Sequence, residues 1–208
     1  MNPSKKVFGI LFLSEILSLF GTICTIAGGI LLIAMAMDQA EAGVVIGAII
    51  TYASLAITII GGILSIVAYV KGRKLNPNFF AAFILVVVNL ALRAINVFMP
   101  EFFVQNSFLG VCAVAFESIV SLCISICVIS AAQQIASQEN RTELAHKASR
   151  VLFAYTIIGL ISVCSNILSA ILSLNVIIAL VASIAYLVFL IISYILYLSL
   201  LRRCSKEL

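Results

Sequence analysis

Six apolar stretches, near residues 7–36, 44–70, 79–99, 108–132, 151–173 and 176–201, constrain this chain more than any other feature. Each reaches the roughly 20 residues that a helix needs to cross a ~30 Å hydrocarbon core. The first is longer than needed, which predicts tilt or an extension beyond the bilayer. A membrane-spanning β-barrel would show alternating segments of about ten residues, and the run VIIALVASIAYLVFLIISYILYL is the opposite pattern. Of the 208 residues 64% are hydrophobic and 10% charged, and the mean hydropathy is +1.28. A water-soluble fold of this length has no way to cover so much apolar surface. The expected fold class is therefore all-α: a polytopic membrane protein with six transmembrane helices in a single domain, residues 1–208.

The basic residues predict the orientation. Lys5 and Lys6 precede the first stretch, and Lys71, Arg73 and Lys74 follow the second. Arg141, Lys147 and Arg150 lie between the fourth and fifth, and Arg202, Arg203 and Lys206 close the chain. In a six-span arrangement these eleven share one side, while the other holds Asp38, Glu41 and Glu101 and no lysine or arginine. By the positive-inside rule both termini are cytoplasmic, in a multi-pass protein of the cell (plasma or inner) membrane. The net charge of +4 then reflects topology and attraction to anionic lipid, not nucleic-acid binding. The first helix is expected to remain as an uncleaved anchor, because its apolar run is too long for a signal peptide. The loop SQENRTELAHKAS reads as a polar connector or a short surface helix, and its Asn140-Arg141-Thr142 sequon as a chance match on the cytoplasmic side.

An internal repeat is visible. KVFGILFLSEILSLFGTICT, NFFAAFILVVVNLALRAINV and RVLFAYTIIGLISVCSNILS each follow a polar stretch, and each carries a polar triplet at offsets 0, 4 and 7. The triplets are Ser18/Thr22/Thr25, Asn89/Arg93/Asn96 and Ser162/Asn166/Ser169, starting 71 and 73 residues apart. Three helical-hairpin pseudo-repeats, approximately 1–72, 73–143 and 144–208, are expected. The first member of each triplet falls about 16 Å into the bilayer, near its middle. Small hydroxyl residues also serve as helix contacts in membranes. Gly28-Gly29, Gly61-Gly62 and the Thr51/Ser54/Thr58 stripe are read that way, and Tyr186, Tyr194 and Tyr197 as an interfacial belt.

Glu15, Arg93 and Glu117 are harder to assign to packing, since a charge at the bilayer centre costs about 3 kcal/mol on insertion scales. Arg93 lies about 9 Å below the outer edge of its span and Glu117 about 15 Å below it. An Arg93–Glu117 ion pair is expected, with Glu15 as the second choice of partner or as an independent protonatable group.

Motifs for enzymatic chemistry are missing: there is no HExxH, CxxC, GxSxG or phosphate-cradling glycine loop. Cys24, Cys112, Cys123, Cys127 and Cys164 fall inside spans and Cys204 in the tail, so neither disulfides nor a metal centre is expected. His146, the single histidine, reads as a solvated loop residue. The layout of three two-helix repeats resembles that of mitochondrial carriers. Their odd helices carry a proline followed by an acidic and then a basic residue, and Pro3, Pro77 and Pro100 stand in no such context. The resemblance is one of architecture and assigns no family.

Two functions follow. In the first, the bundle core binds or transports a small polar or anionic solute or an ion. Arg93 anchors it, Asn89 and Asn96 flank it, and Glu117 or Glu15 balances the charge. In the second, a non-transporting helper uses its polar stripes to pack helices, to bind a membrane-protein partner or to form a homo-oligomer. Neither role needs a cofactor.

Overall fold

The computed structural model describes the backbone of residues 2–37, 41–98, 108–171 and 176–208. Side chains are described for these residues except 34–37, 41–44, 93–94, 96–98, 108–111, 113–114, 162–163, 165–171, 176–187 and 189–190. The described chain is all-helical: α1 Pro3–Met37, α2 Glu41–Gly72, α3 Pro77–Phe98, α4 Phe108–Gln138, α5 Thr142–Ile171 and α6 Val176–Glu207. Among the described residues four stretches are long and apolar enough to cross a membrane: Pro3–Ile33, Val45–Gly72, Ala115–Gln138 and Thr142–Ile161. Pro77–Leu92 is a shorter apolar helix. Large apolar side chains such as Ile26, Ile30, Ile49, Ile63 and Phe153 point outward, as an integral membrane protein requires.

The helix ends follow from local chemistry. Asn2 and Asn76 each accept a bond from the backbone N–H two residues on, at Ser4 (3.3 Å) and Asn78 (2.9 Å). Each is followed by a proline at the first helical position, where a missing N–H costs nothing. Helix α4 ends on Asn140, whose φ of 58° is left-handed. There Arg141 N–H donates to Ala136 O (2.8 Å) and Asn140 N–H to Ser137 O (3.2 Å), a Schellman closure.

The polar connector expected before residue 151 is shorter than its composition suggests. Helix α5 begins at Thr142, so most of SQENRTELAHKAS is helical. Leu144, Ala148 and Val151 recur at helical spacing and are all buried, while Glu143 sits favourably in the first turn. A one-sided apolar stripe decided the outcome over average polarity.

Each helix packs on its neighbours in sequence, and α6 closes on α1, so the six form a ring with a lighter α4–α6 contact across it. The buried core gathers at the basic end, around Phe8, Leu11, Phe79, Ile129, Leu144 and Leu200. The Phe8 and Phe79 rings meet at 5.7 Å between centroids, tilted by 59°. Gly72 permits this: a Cβ there would stand 2.6 Å from the Phe79 ring. The same end is laced by polar contacts. Glu139 accepts bonds from Ser4 Oγ (3.1 Å) and Asn2 Nδ2 (3.2 Å), and Asn2 Nδ2 also donates to the Leu208 carbonyl. The start of α1 and the ends of α4 and α6 are thereby joined.

Helices α1 and α2 share the most extensive contact, through a seam of small residues. A Cβ at Gly28 would stand 2.7 Å from Thr51 Oγ1, one at Gly61 2.7 Å from Ser18 Oγ, and one at Gly21 would run into the Thr58 hydroxyl. Between these, Thr25 and Ser54 hydroxyls lie 2.7 Å apart. In every one of these facing pairs the residue numbers add to 79, so one antiparallel register holds throughout. Seam positions alternate by four and three residues on both helices, which is knobs-into-holes spacing with the knobs cut short.

Candidate functional site

Glu15 lies on α1 one turn beyond Leu11, in the basic half of the bundle. Its carboxyl is deep among neighbouring side chains, although the residue retains some accessible surface. Tyr194 of α6 reaches it: one hydroxyl lies 3.0 Å from the Glu15 carboxyl oxygen Oε2 and 3.0 Å from its backbone carbonyl. Tyr69 of α2 and Tyr197 of α6, each 2% exposed, lie within electrostatic reach of the same carboxyl. Tyr155 of α5 extends the group, its ring 5.8 Å from that of Tyr197, and Tyr194 and Tyr197 stand 6.5 Å apart. Four helices thus supply one acid and four phenols.

This corrects the interfacial belt expected on α6. Tyr194 and Tyr197 are three residues apart and so share a face, which is turned toward α1 and α5 and not to the membrane surface. The side chain of Tyr186 is outside the described residues. A carboxyl removed from water needs donors, and a phenol offers one hydroxyl on an otherwise apolar body. An acid in one helix with tyrosines at helical spacing in another is the signal that sequence reading passed over.

No protein-family model matches this chain, and no match was found among curated proteins or solved structures. The site must be read from its own chemistry.

The residues first singled out are placed as follows. Asn89 of α3 donates from Nδ2 to Ser121 Oγ of α4 at 3.5 Å, and its Oδ1 is buried with no donor among the described residues. Asn76 Nδ2 donates to Gln134 Oε1 at 2.8 Å in the same helix pair. Facing numbers add to 210 in both contacts and to 208 in a third, Asn78 Nδ2 to Ser130 Oγ at 3.0 Å; continued along the two helices, a register of 210 sets backbone position 93 opposite 117. The side chain of Arg93 lies outside the described residues, and so does the expected pairing with Glu117. The side chains of Asn96, Ser162, Asn166 and Ser169 also lie outside them.

The first triplet is engaged locally. Thr22 and Thr25 hydroxyls donate to the Ser18 and Gly21 carbonyls at 2.8 and 2.9 Å. Ser18 and Thr25 make contact with α2, and Thr22 and Thr25 both keep exposed surface. Glu15 and Asn89 are drawn to different neighbours, α6 and α4 respectively. The described polar residues therefore form separate groups between helices.

Proposed function

We propose that this chain is a six-span membrane bundle that binds, and in turn moves, a proton or small cation through Glu15, with Arg93, Asn89, Asn96 and Glu117 forming a second polar level for a solute. The Glu15–Tyr194 contact carries the reading. One shared phenolic hydrogen bond is too little to replace the hydration of a carboxylate in an apolar bundle. A proton or a bound cation supplies what is missing. The carboxyl, the tyrosine hydroxyls and the Glu15 carbonyl are all oxygen donors, which suits a hard monovalent cation. Glu15 sits in the basic half, and the second level lies farther along α3 and α4, a spacing that suits coupled movement of two charges. Helices crossing three times in and out as hairpins, with both ends cytoplasmic, complete this reading.

The test is carbodiimide labelling of the reconstituted protein, read by mass spectrometry. Carbodiimides modify protonated carboxyls in apolar surroundings. Label on Glu15 that declines as pH rises, or that sodium or potassium suppresses, supports the proposal. Labelling unchanged from pH 5 to 9 and indifferent to either cation defeats it.

A second reading is favoured by the α1–α2 seam. Ser18 and Thr25 are satisfied within a tight helix pair, as they would be in an assembly subunit whose polar stripes only pack helices. Cysteines placed singly at Thr25, Asn96 and Ser169, in a chain lacking the six native ones, separate the two. Impermeant thiol reagents reach a wet core at Asn96 and Ser169, and reach none of the three in a dry one.

A further inference from the structure

At the basic end, a trough of about 660 Å³ runs between the first turns of α1 and the last turn of α6. Lys5 and Lys6 form its rim, Gly9, Ile10 and Leu13 its floor, and Ser205 its far wall. At Gly9 the two helices come close: a Cβ built there would stand 4.0 Å from the Ser205 Cβ, an ordinary contact distance, so a small side chain fits at this point and a large one would have to enter the trough.

We infer that this trough is a binding site for one anionic phospholipid. Lys5 to Leu13 spans eight residues of helix, about 12 Å, which matches the distance from a lipid phosphate to its upper acyl chain. Polarity changes in the same direction, from two ammonium groups to Ile10 and Leu13. The apolar track then continues along α1 through Ile16 and Phe20, which are 39% and 55% exposed, giving a chain somewhere to lie. Lys206 and Arg202, exposed on the last turns of α6, add positive charge alongside. The neighbouring acid, Glu139, is turned onto Asn2 and Ser4. A basic rim above an apolar floor, opening sideways beside exposed Leu13, is complementary to a negative headgroup with a tail and not to a soluble anion.

The site has a structural consequence. Helix α6 closes the ring on α1, and the trough lies at that closure. A lipid seated there bridges the first and last helices, as Asn2 does at the trough's edge by donating to the Leu208 carbonyl.

The full chain, purified in detergent, is offered equal amounts of phosphatidylglycerol and phosphatidylcholine, and retained lipid is counted by native mass spectrometry. Phosphatidylglycerol is expected to be retained preferentially. Lys5→Gln and Lys6→Gln should each reduce that preference about fivefold, the effect of one basic residue near an anionic surface. Gly9→Leu, which fills the trough, should reduce retention of both lipids. Arg150→Gln, on a different helix, should leave the preference unchanged. Elution as a single species shows that each variant is folded. Equal retention of the two lipids by the wild type overturns the proposal, as does an equal loss in the Arg150→Gln control. Displacement of the lipid by millimolar inorganic phosphate also overturns it, since the trough would then read a free anion. If Leu13→Cys crosslinks two copies in place of lipid retention, the trough is a self-association face and the lipid assignment fails.

Discussion

The hydroxyl of Tyr194 is 3.0 Å from a carboxyl oxygen of Glu15, joining residues 179 positions apart in the chain. It makes the acid on the first helix depend on a donor from the last. Tyr194→Phe should destabilise the bundle by about 0.5–2 kcal/mol, the range for interhelical hydrogen bonds in membranes. In a Glu15→Gln background the same change should cost measurably less, because the acceptor is altered. Unfolding in mixed micelles reads both, and strictly additive costs would show that the two residues are not coupled.

Each paired glycine in α1 and α2 contains its own control. Gly61→Ala places a Cβ 2.7 Å from Ser18 Oγ and 3.0 Å from the Ser14 carbonyl, whereas Gly62→Ala meets nothing within 4 Å. The first should destabilise by about 1–3 kcal/mol through overpacking. The second should stay within about 0.5 kcal/mol of the parent. Gly28→Ala and Gly29→Ala should differ in the same sense, for Gly28 faces Thr51 and Gly29 faces open space. Melting temperatures of the four variants decide the matter.

Cys204, beyond the sixth apolar stretch, is fully buried. Burial first, then the negative charge of Glu207, pushes its thiol from 9.0 up to about 12. At pH 8 its reaction with a thiolate-seeking reagent should be roughly a thousandfold slower in the folded protein than after denaturation. The sign for stability follows. The contribution is fully present below pH 9 and is lost as pH rises toward 12, since the unfolded chain releases this proton first. Cys204→Ala should flatten that part of the pH profile.

Asn140 holds the turn between α4 and α5 with a φ of 58°. Asn140→Gly should be tolerated or slightly stabilising, while Asn140→Val should cost on the order of 1–2 kcal/mol, as a branched side chain resists this conformation. Equal melting points for the two variants would show that the closure contributes little.

Much of the helical layout is legible without coordinates, because apolar stretches of this length leave the backbone no other way to satisfy its hydrogen bonds in lipid. Asn-Pro before α1 and α3 marks two starts in plain sequence. The start of α5 is hidden, since Leu144, Ala148 and Val151 are only three apolar positions inside a polar segment. The glycine pairs point to close packing, but not to which glycine of each pair faces the seam. That choice depends on the register with α2. The tyrosine group is hidden for a related reason: Tyr69, Tyr155, Tyr194 and Tyr197 come from three helices, and only the ring closure of α6 on α1 brings them to Glu15. Arg93, so conspicuous in the sequence, keeps only its level, opposite position 117.

The Glu15–Tyr194 contact also bears on the order of synthesis. At about 5–20 residues per second, a ribosome makes the acid roughly 10–40 s before its phenol. The complete α1–α2 seam is available long before that, so the first hairpin can hold its shape while Glu15 waits inside the membrane. An insertion factor, a neighbouring lipid headgroup or a bound proton must look after the carboxyl in the interval. Any slowing of translation before α6 prolongs that exposure, and the polar site of the first helix is finished by the last one to arrive.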